Sequence, residues 1–361
     1  MTTDALKQAV ATRFGTPCAV IDLDVVERNI GTAQRRCDDA GVANRPHIKT
    51  HKSPLLARWQ LDAGATGITC QKLGEAEVMA AAGIDDILIA TNLLGAARCG
   101  ALAALQRRTA LTVCADSTVT LSAYSRAAAD AERPLDVVVE CDTGQHRAGV
   151  ETPEAALALV DAIEADPHLQ FAGLMYYPPL DGWPATQAFH DTVARGLRVR
   201  GLTAAIVSTG GTPNFAHIGS LAGATEHRAG TCIFNDRMMV RAGVATPADC
   251  ALTVYTTVVS RAGAERGILD AGSKTLTSDT GGGLDGHGEI LEHPGARIHK
   301  FAEEHGFLDL SACNDKPAVG DVVRVVPNHV CVVVNMLDQL VAVRGDEIVD
   351  VIPVAARGKL V

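Results

Sequence analysis

Arg45-Pro46-His47-Ile48-Lys49-Thr50-His51-Lys52 places two lysines and two histidines within six residues. Read as a short strand, it alternates its faces, so His47, Lys49 and His51 point one way and Ile48, Thr50 and Lys52 the other. Lys49 then stands at the carboxyl end of the strand with imidazoles on its own side. Burial and cationic neighbours press such a lysine toward the neutral amine, the form that Schiff-base chemistry needs. A solvated basic strand end is the simplest alternative, and the surrounding sequence has to decide between the two.

Strand-like runs flank this stretch. Before it, Thr16-Pro17 introduces Cys18–Leu23, and Asp24 reads as the N-cap of a helix reaching about Ala40. After it come Gly67–Gln71, Asp86–Thr91, Leu111–Asp116, Asp136–Asp142, Phe171–Tyr177, Ala204–Gly210 and His227–Phe234. Alanine-rich helical stretches such as Gly74–Ala82 and Pro153–Ala165 lie between most of them. With the lysine stretch this gives eight strands alternating with helices, the pattern of parallel βαβ units, and it predicts an α/β fold built on a closed (β/α)8 barrel. Lys49, Gln71, Asp142, Tyr177, Ser208 and Thr209 all fall at the carboxyl ends of these strands, where a barrel forms its active-site face. That agreement weighs against a merely solvated lysine.

From about Ala248 the texture changes. Cys250–Ser260, Gly267–Asp270, Asp321–Val326 and His329–Asn335 read as strands around a glycine-rich loop, Gly281–Gly286. This is a β-rich C-terminal domain, and the surplus first strand is assigned to it. The expected domains are a barrel over 24–247 and a β-rich domain from 1–23 and 248–361.

The bulk properties fit this layout. At 361 residues the chain can hold a barrel and a smaller domain, and 47% apolar with 20% charged residues is ordinary for a globular protein. A formal charge of -10 argues against nucleic-acid or anionic-membrane partners. No apolar run approaches the roughly 20 residues of a membrane span, and Met1–Phe14 has no stretch of signal-peptide character. Ten cysteines occur without a CxxC pair, several in apolar runs (Cys18, Cys70, Cys114, Cys141), and read as reduced thiols of a cytoplasmic protein.

Three constellations could carry chemistry. Ser208-Thr209-Gly210-Gly211-Thr212 after the seventh strand, and Gly230-Thr231 at the eighth, could cradle a phosphate through converging N–H groups. Such sites recur at this place in barrels. Asp142 and Arg147 at the fifth strand could form a structural ion pair, or Arg147 could bond a ligand's ring nitrogen or carboxylate. His329-Val330-Cys331, taken as a strand, would put an imidazole and a thiolate on one face, a donor pair that suits a divalent ion with coordination positions left open.

Taken together, TPCAVIDLD, RPHIKTHK, GITCQKLGEAE, ECDTGQHRAG, STGGTP, TEHRAGT, DAGSK and PNHVC resemble the D-threonine aldolase / D-serine dehydratase-like family of pyridoxal-phosphate (PLP) enzymes with the alanine racemase fold. The resemblance implies a PLP-binding barrel, a β-domain and a homodimer acting on a small D-amino acid. It implies that Lys49 carries the cofactor and that Lys49 and His51 serve catalysis. Gln71, Arg147 and Tyr177 would meet the cofactor, with Arg147 at the pyridine nitrogen. Ser208, Thr209, Gly210, Gly211, Thr212, Gly230 and Thr231 would hold its phosphate. His329 and Cys331 would bind a divalent metal, Mn, Zn or Mg. His-x-Cys is the dehydratase-like form, many aldolases having His-x-Asp, whereas Tyr176-Tyr177-Pro178-Pro179 lacks the histidine that many members carry after the strand-six tyrosine. Retro-aldol cleavage of D-β-hydroxy amino acids to glycine and an aldehyde is the favoured activity. β-Elimination to a keto acid and ammonia is the alternative. A PLP carrier is disfavoured by the extra domain, and a racemase has no need of the metal pair.

Overall fold

The computed structural model describes residues 4–361, which divide into two compact units. One runs up to Gly31 and adds Thr50–Ser53 and Thr231–Gly358; the other comprises Thr32–Lys49, Pro54–Gly230 and Lys359–Val361. The breaks at Gly31/Thr32 and Gly230/Thr231 differ from the sequence-based limits at 23/24 and 247/248. No helix of the described residues is long and apolar enough to cross a membrane.

In chain order, β1 is Cys18–Asp22. β2 to β9 are Ala43–Asn44, Ile68–Cys70, Asp86–Ile89, Ala110–Ala115, Leu135–Cys141, Leu169–Tyr176, Ile206–Thr209 and Glu226–His227. β10 to β17 are Leu252–Ser260, Arg266–Leu269, Glu289–Ile290, Arg297–Phe301, Gly306–Asp309, Val322–Val326, Gln339–Arg344 and Glu347–Pro353.

β2 to β9 form one parallel eight-stranded sheet, ordered β2-β9-β8-β7-β6-β5-β4-β3. A bridge between His47 and Thr69, with Thr69 N–H donating to the Pro46 carbonyl at 2.8 Å, brings its two ends together as a barrel requires. Val137, Val138 and Val139 of β6 are wholly buried, the continuous apolar run of a strand covered on both faces. Ser117 and Thr152 cap the helices Thr118–Ala131 and Pro153–Glu164 by accepting the N–H groups of Thr120 and Ala155. Gly173 in β7 has φ +154°, and any Cβ there would collide with the Ile206 carbonyl of β8. Only glycine lets these two strands approach.

The lysine stretch is not a strand. β2 covers only Ala43–Asn44, and Ile48–Thr50 forms a 3-10 turn. The reason lies in the partner. Arg45 and His47 still donate to the carbonyls of His227 and Ala229, both at 2.9 Å, but β9 ends at His227. Beyond His47 the ladder has nothing to pair with, so the chain turns and the alternation expected for His47, Lys49 and His51 does not hold. For the same reason only His227 of the predicted strand His227–Phe234 belongs to β9, and a 3-10 turn, Thr231–Ile233, follows.

The other unit is a nine-stranded sheet, ordered β11-β14-β13-β12-β15-β10-β1-β16-β17. β1 runs antiparallel to β10 and parallel to β16, so the first strand does join the C-terminal strands. Leu6, Val10, Val20, Tyr255, Val322, Val341 and Val343 pack into its core. Two local expectations need correction here. Asp22, not Asp24, caps the helix Leu23–Asp39, accepting the N–H groups of Asp24 and Val25. His329–Asn335 is not a strand: Val330–Met336 is helical, with His329 in extended backbone at its N-cap. The valines suggest a strand, yet the Asp236 carboxylate accepts the Val330 N–H at 3.1 Å. Val330, Val333 and Val334 are then buried at helical spacing. Tertiary context overrides β propensity.

Candidate active site

On the barrel unit, Lys49 is half-buried in the 3-10 turn that follows β2. His47, just before it, has a defined protonation state. The Gln71 amide donates to the Ala90 carbonyl at 2.9 Å, which turns its oxygen toward His47 Nε2 at 3.1 Å. Nε2 therefore carries the proton and Nδ1 faces the Lys49 N–H at 3.5 Å. Burial, reinforced by the charges of Lys49, Arg228 and Arg147, holds the His47 imidazolium well below its ordinary range. Gln71 thus orients His47, a role the sequence did not show.

Gly210 and Gly211 follow β8 with φ values of +130° and +125°. A Cβ on Gly210 would lie 2.6 Å from the Arg228 nitrogen, and one on Gly211 would lie 2.5 Å from Tyr177 Cε2. Among the described residues no protein acceptor meets the N–H of either glycine. This is a concave stretch of backbone that a side chain would fill, as expected of a phosphate cradle. Thr212 is buried at the start of the turn Thr212–His217, and Gly230 follows the Ala229 that pairs with His47. Ser208 and Thr209 are turned elsewhere. The Ser208 hydroxyl donates to Glu226 at 2.6 Å and accepts from Arg228. The Thr209 hydroxyl lies 3.4 Å from His227 Nδ1 and from the Glu226 carbonyl. These hydroxyls face into the barrel wall, so the geometry supports the glycines of this motif and not its first two hydroxyls.

Arg147 lies with its guanidinium 4.9 Å over the Tyr177 ring and 3.7 Å from the Glu140 carboxylate. The Asp142–Arg147 ion pair does not form. Asp142 instead accepts the backbone N–H groups of Gly144, Gln145 and Arg147, shaping the loop. Asp142, His146 and Glu151 also bring three donor atoms within 4.8 Å of one another. Because the Asp142 carboxylate already serves three N–H groups and the other two residues are exposed, this cluster is a poorer cation site than the His–Cys pair.

Arg228 was not singled out from the sequence. Buried, it bonds Ser208 and the Tyr176 carbonyl, the latter at 3.0 Å. Beneath it Glu226 accepts from Arg45 Nε at 2.6 Å, and Arg45 reaches Asp86 at 2.6 Å. The available signal was charge inside apolar strands, since Arg45, Glu226 and Arg228 could be buried only in one another's company.

On the other unit, His329 and Cys331 lie together although the strand is absent: extended backbone at the N-cap turns the imidazole toward the first helical turn. The hydrogen bond to Cys331 is the main influence raising the His329 pKa to about 9, with Asp279 and Asp236 adding to it against burial. His329 Nδ1 is 2.8 Å from Asp279 Oδ2. The Thr50 and Thr231 hydroxyls lie 3.2 and 3.8 Å from Cys331 Sγ. The Thr231 hydroxyl therefore sits by the sulfur. One imidazole and one sulfur, half-buried side by side, are a suitable donor set for a divalent ion. His51 is buried, its Nδ1 accepting the Ser53 N–H at 3.1 Å.

A parallel barrel bearing a strand-end lysine and a glycine cradle, with a second, β-rich unit bearing a His–Cys pair, defines an alanine racemase-like class. Residues 21–246 match the family described as "Alanine racemase, N-terminal domain", and 251–343 match "Putative serine dehydratase domain". The chain is 34% identical to the D-threonine aldolase of Arthrobacter sp. over 96% of its length and 93% of the relative's. Its fold matches the crystal structure of D-threonine aldolase from Filomicrobium marinum with a TM-score of 0.88 at 32% identity, covering 96% of each chain. It also matches a D-threo-3-hydroxyaspartate dehydratase, a cysteine-to-alanine mutant in the metal-free form, with a TM-score of 0.83 at 32% identity, covering 94% of this chain and 97% of that one. The chain belongs to the D-threonine aldolase / D-serine dehydratase-like family of the alanine racemase fold.

Proposed function

We propose that this protein is a PLP- and divalent-metal-dependent lyase of the D-threonine aldolase type, cleaving D-β-hydroxy amino acids to glycine and an aldehyde. The observation that carries the reading is the Gly210–Gly211 cradle, which any Cβ would fill, following β8 as Lys49 follows the parallel β2. The two sit at equivalent strand ends of one sheet, the face on which barrels bind phosphorylated cofactors.

In this reading Lys49 carries the cofactor, and Gly210, Gly211, Thr212 and Gly230 hold its phosphate. Tyr177 and Arg147, already stacked on one another, flank its ring. His47 stays neutral through burial and the neighbouring cations, Gln71 setting only its tautomer, and adds no charge beside the lysine. Lys49 and His51 are assigned to proton transfer, and His329 and Cys331 to the ion. When bound, the cofactor supplies an electron sink for the substrate's Cα electrons, and the ion a Lewis acid for its β-oxygen. The working form is taken to be a homodimer, which light scattering on the eluting protein tests.

The second reading is β-elimination of water from a 3-hydroxy-D-amino acid. Cys331 favours it, since a cysteine-to-alanine exchange accompanies the metal-free form of a related dehydratase. Purified protein supplied with PLP, Mn2+ or Zn2+ and D-threonine separates the two. Glycine as product supports the aldolase and 2-oxobutyrate the dehydratase. Absence of both, with D-serine and 3-hydroxy-D-aspartate also unreacted, contradicts the proposal.

A further inference from the structure

The glycine-rich loop Gly281–Gly286 lies in the β-rich unit. Gly281, Gly282, Gly283 and Gly286 adopt φ values of +58°, +73°, +93° and +67°, a path that residues with a Cβ resist. Its purpose shows in what it holds. Asp279, at its start, accepts the Gly281 N–H on Oδ1 at 2.8 Å and faces His329 Nδ1 with Oδ2 at 2.8 Å. One carboxylate thus ties the loop to the imidazole.

The backbone around His329 is fixed on both sides. Asn328, fully buried, donates its amide to the Asp279 and Gly286 carbonyls, both at 3.0 Å, stapling the two ends of the loop to the residue before His329. Its oxygen accepts from Arg237 at 2.6 Å. On the far side the Asp236 carboxylate holds the Val330 N–H. With the backbone fixed, the His329 side chain is held by Asp279 at Nδ1 and by its hydrogen bond to Cys331.

We propose that Asp279 is a positioning residue for the metal: it keeps His329 protonated on Nδ1 and presents Nε2 as the ligand beside Cys331, and the glycine-rich loop is the scaffold that brings this carboxylate into place. A carboxylate behind a ligating histidine fixes its tautomer and orientation, and its loss typically weakens metal affinity by about 10- to 100-fold. The inference rests on the metal reading of the His–Cys pair.

The test is ion affinity, independent of turnover. Chelator-stripped full-length protein is titrated with Zn2+ against a chromogenic chelator. Asp279→Ala should bind about 10- to 100-fold more weakly than wild type, while Asp279→Asn, which keeps an acceptor oxygen for Nδ1–H, should recover much of the loss. Should the alanine variant fail to fold, the asparagine variant and 15N-histidine spectra of zinc-loaded wild type decide the matter. Those spectra should show His329 protonated at Nδ1. Unchanged affinity in Asp279→Ala, or zinc-loaded His329 protonated at Nε2, overturns the role of Asp279 alone. Wild-type protein that takes up no ion overturns the metal site and this inference with it.

Discussion

Gly211 lies so close to Tyr177 that a Cβ on it would sit 2.5 Å from the ring's Cε2. The glycine is demanded twice, by this contact and by its φ of +125°. Gly211→Val would have to push the tyrosine aside and adopt a disfavoured backbone, a cost of order 1–3 kcal/mol. PLP retention should fall by about tenfold or more, followed by spectrophotometric titration of the cofactor. Unchanged affinity in both Gly211→Val and Gly210→Val would put the phosphate elsewhere.

Arg45 and Glu226 form an ion pair with side-chain exposures of 8% and 5%. Arg45→Met would leave the buried Glu226 carboxylate with the Ser208 hydroxyl and the Arg228 charge but without its direct ion-pair partner, and breaking such a pair typically costs about 3–5 kcal/mol. Urea denaturation should show a loss on that scale, largely recovered on adding Glu226→Gln. A loss below ~1 kcal/mol would mean that the barrel wall admits water at this point.

His227 is buried neutral, its pKa lowered to about 3, first by burial and then by the neighbouring Arg228 charge. An unfolded histidine titrates near 6.5. Below that pH the unfolded chain takes up a proton that the folded chain refuses, so stability is present above about 6.5 and declines as the pH falls toward 3. At about 1.4 kcal/mol per pH unit, the group accounts for roughly 2 kcal/mol lost between pH 6.5 and pH 5. His227→Gln, which keeps a donor for the Gly211 carbonyl, should show a loss between pH 7 and pH 5 smaller than wild type by about that amount. Identical acid slopes would exclude His227 as a contributor.

Chelation should separate fold from chemistry. The nine-stranded sheet has its own apolar core of Leu6, Val10, Val20, Tyr255 and neighbouring valines, none of which is a metal ligand. EDTA should remove turnover while the circular dichroism spectrum and the cooperative melt persist. Unfolding of the protein on metal removal would indicate a structural ion instead.

The barrel was legible because apolar runs, alternating helices and strand-end polar residues are local features of the sequence. β6, with its three consecutive buried valines, needs no tertiary information. The misread segments all depend on a distant partner. The lysine stretch and His227–Phe234 look like strands until β9 is seen to end at His227. The valines after His329 look like a strand until Asp236, 94 residues away, caps them as a helix. The tight backbone after β8 was legible because its demands betray themselves as glycine, at Gly210 and Gly211. It was hidden where hydroxyls could turn either way, as at Ser208 and Thr209. Asp279 and Arg228 escaped notice because their partners lie far off in sequence or in the barrel wall.

The central claim is that Lys49 carries the cofactor. Borohydride reduction of the PLP-loaded protein, followed by digestion and mass spectrometry, locates the attachment directly. The pyridoxyl mass should appear on the peptide containing Lys49 and vanish in Lys49→Ala, with no transfer to Lys52. Modification of a different lysine, or of none in protein that retains PLP, would contradict the account.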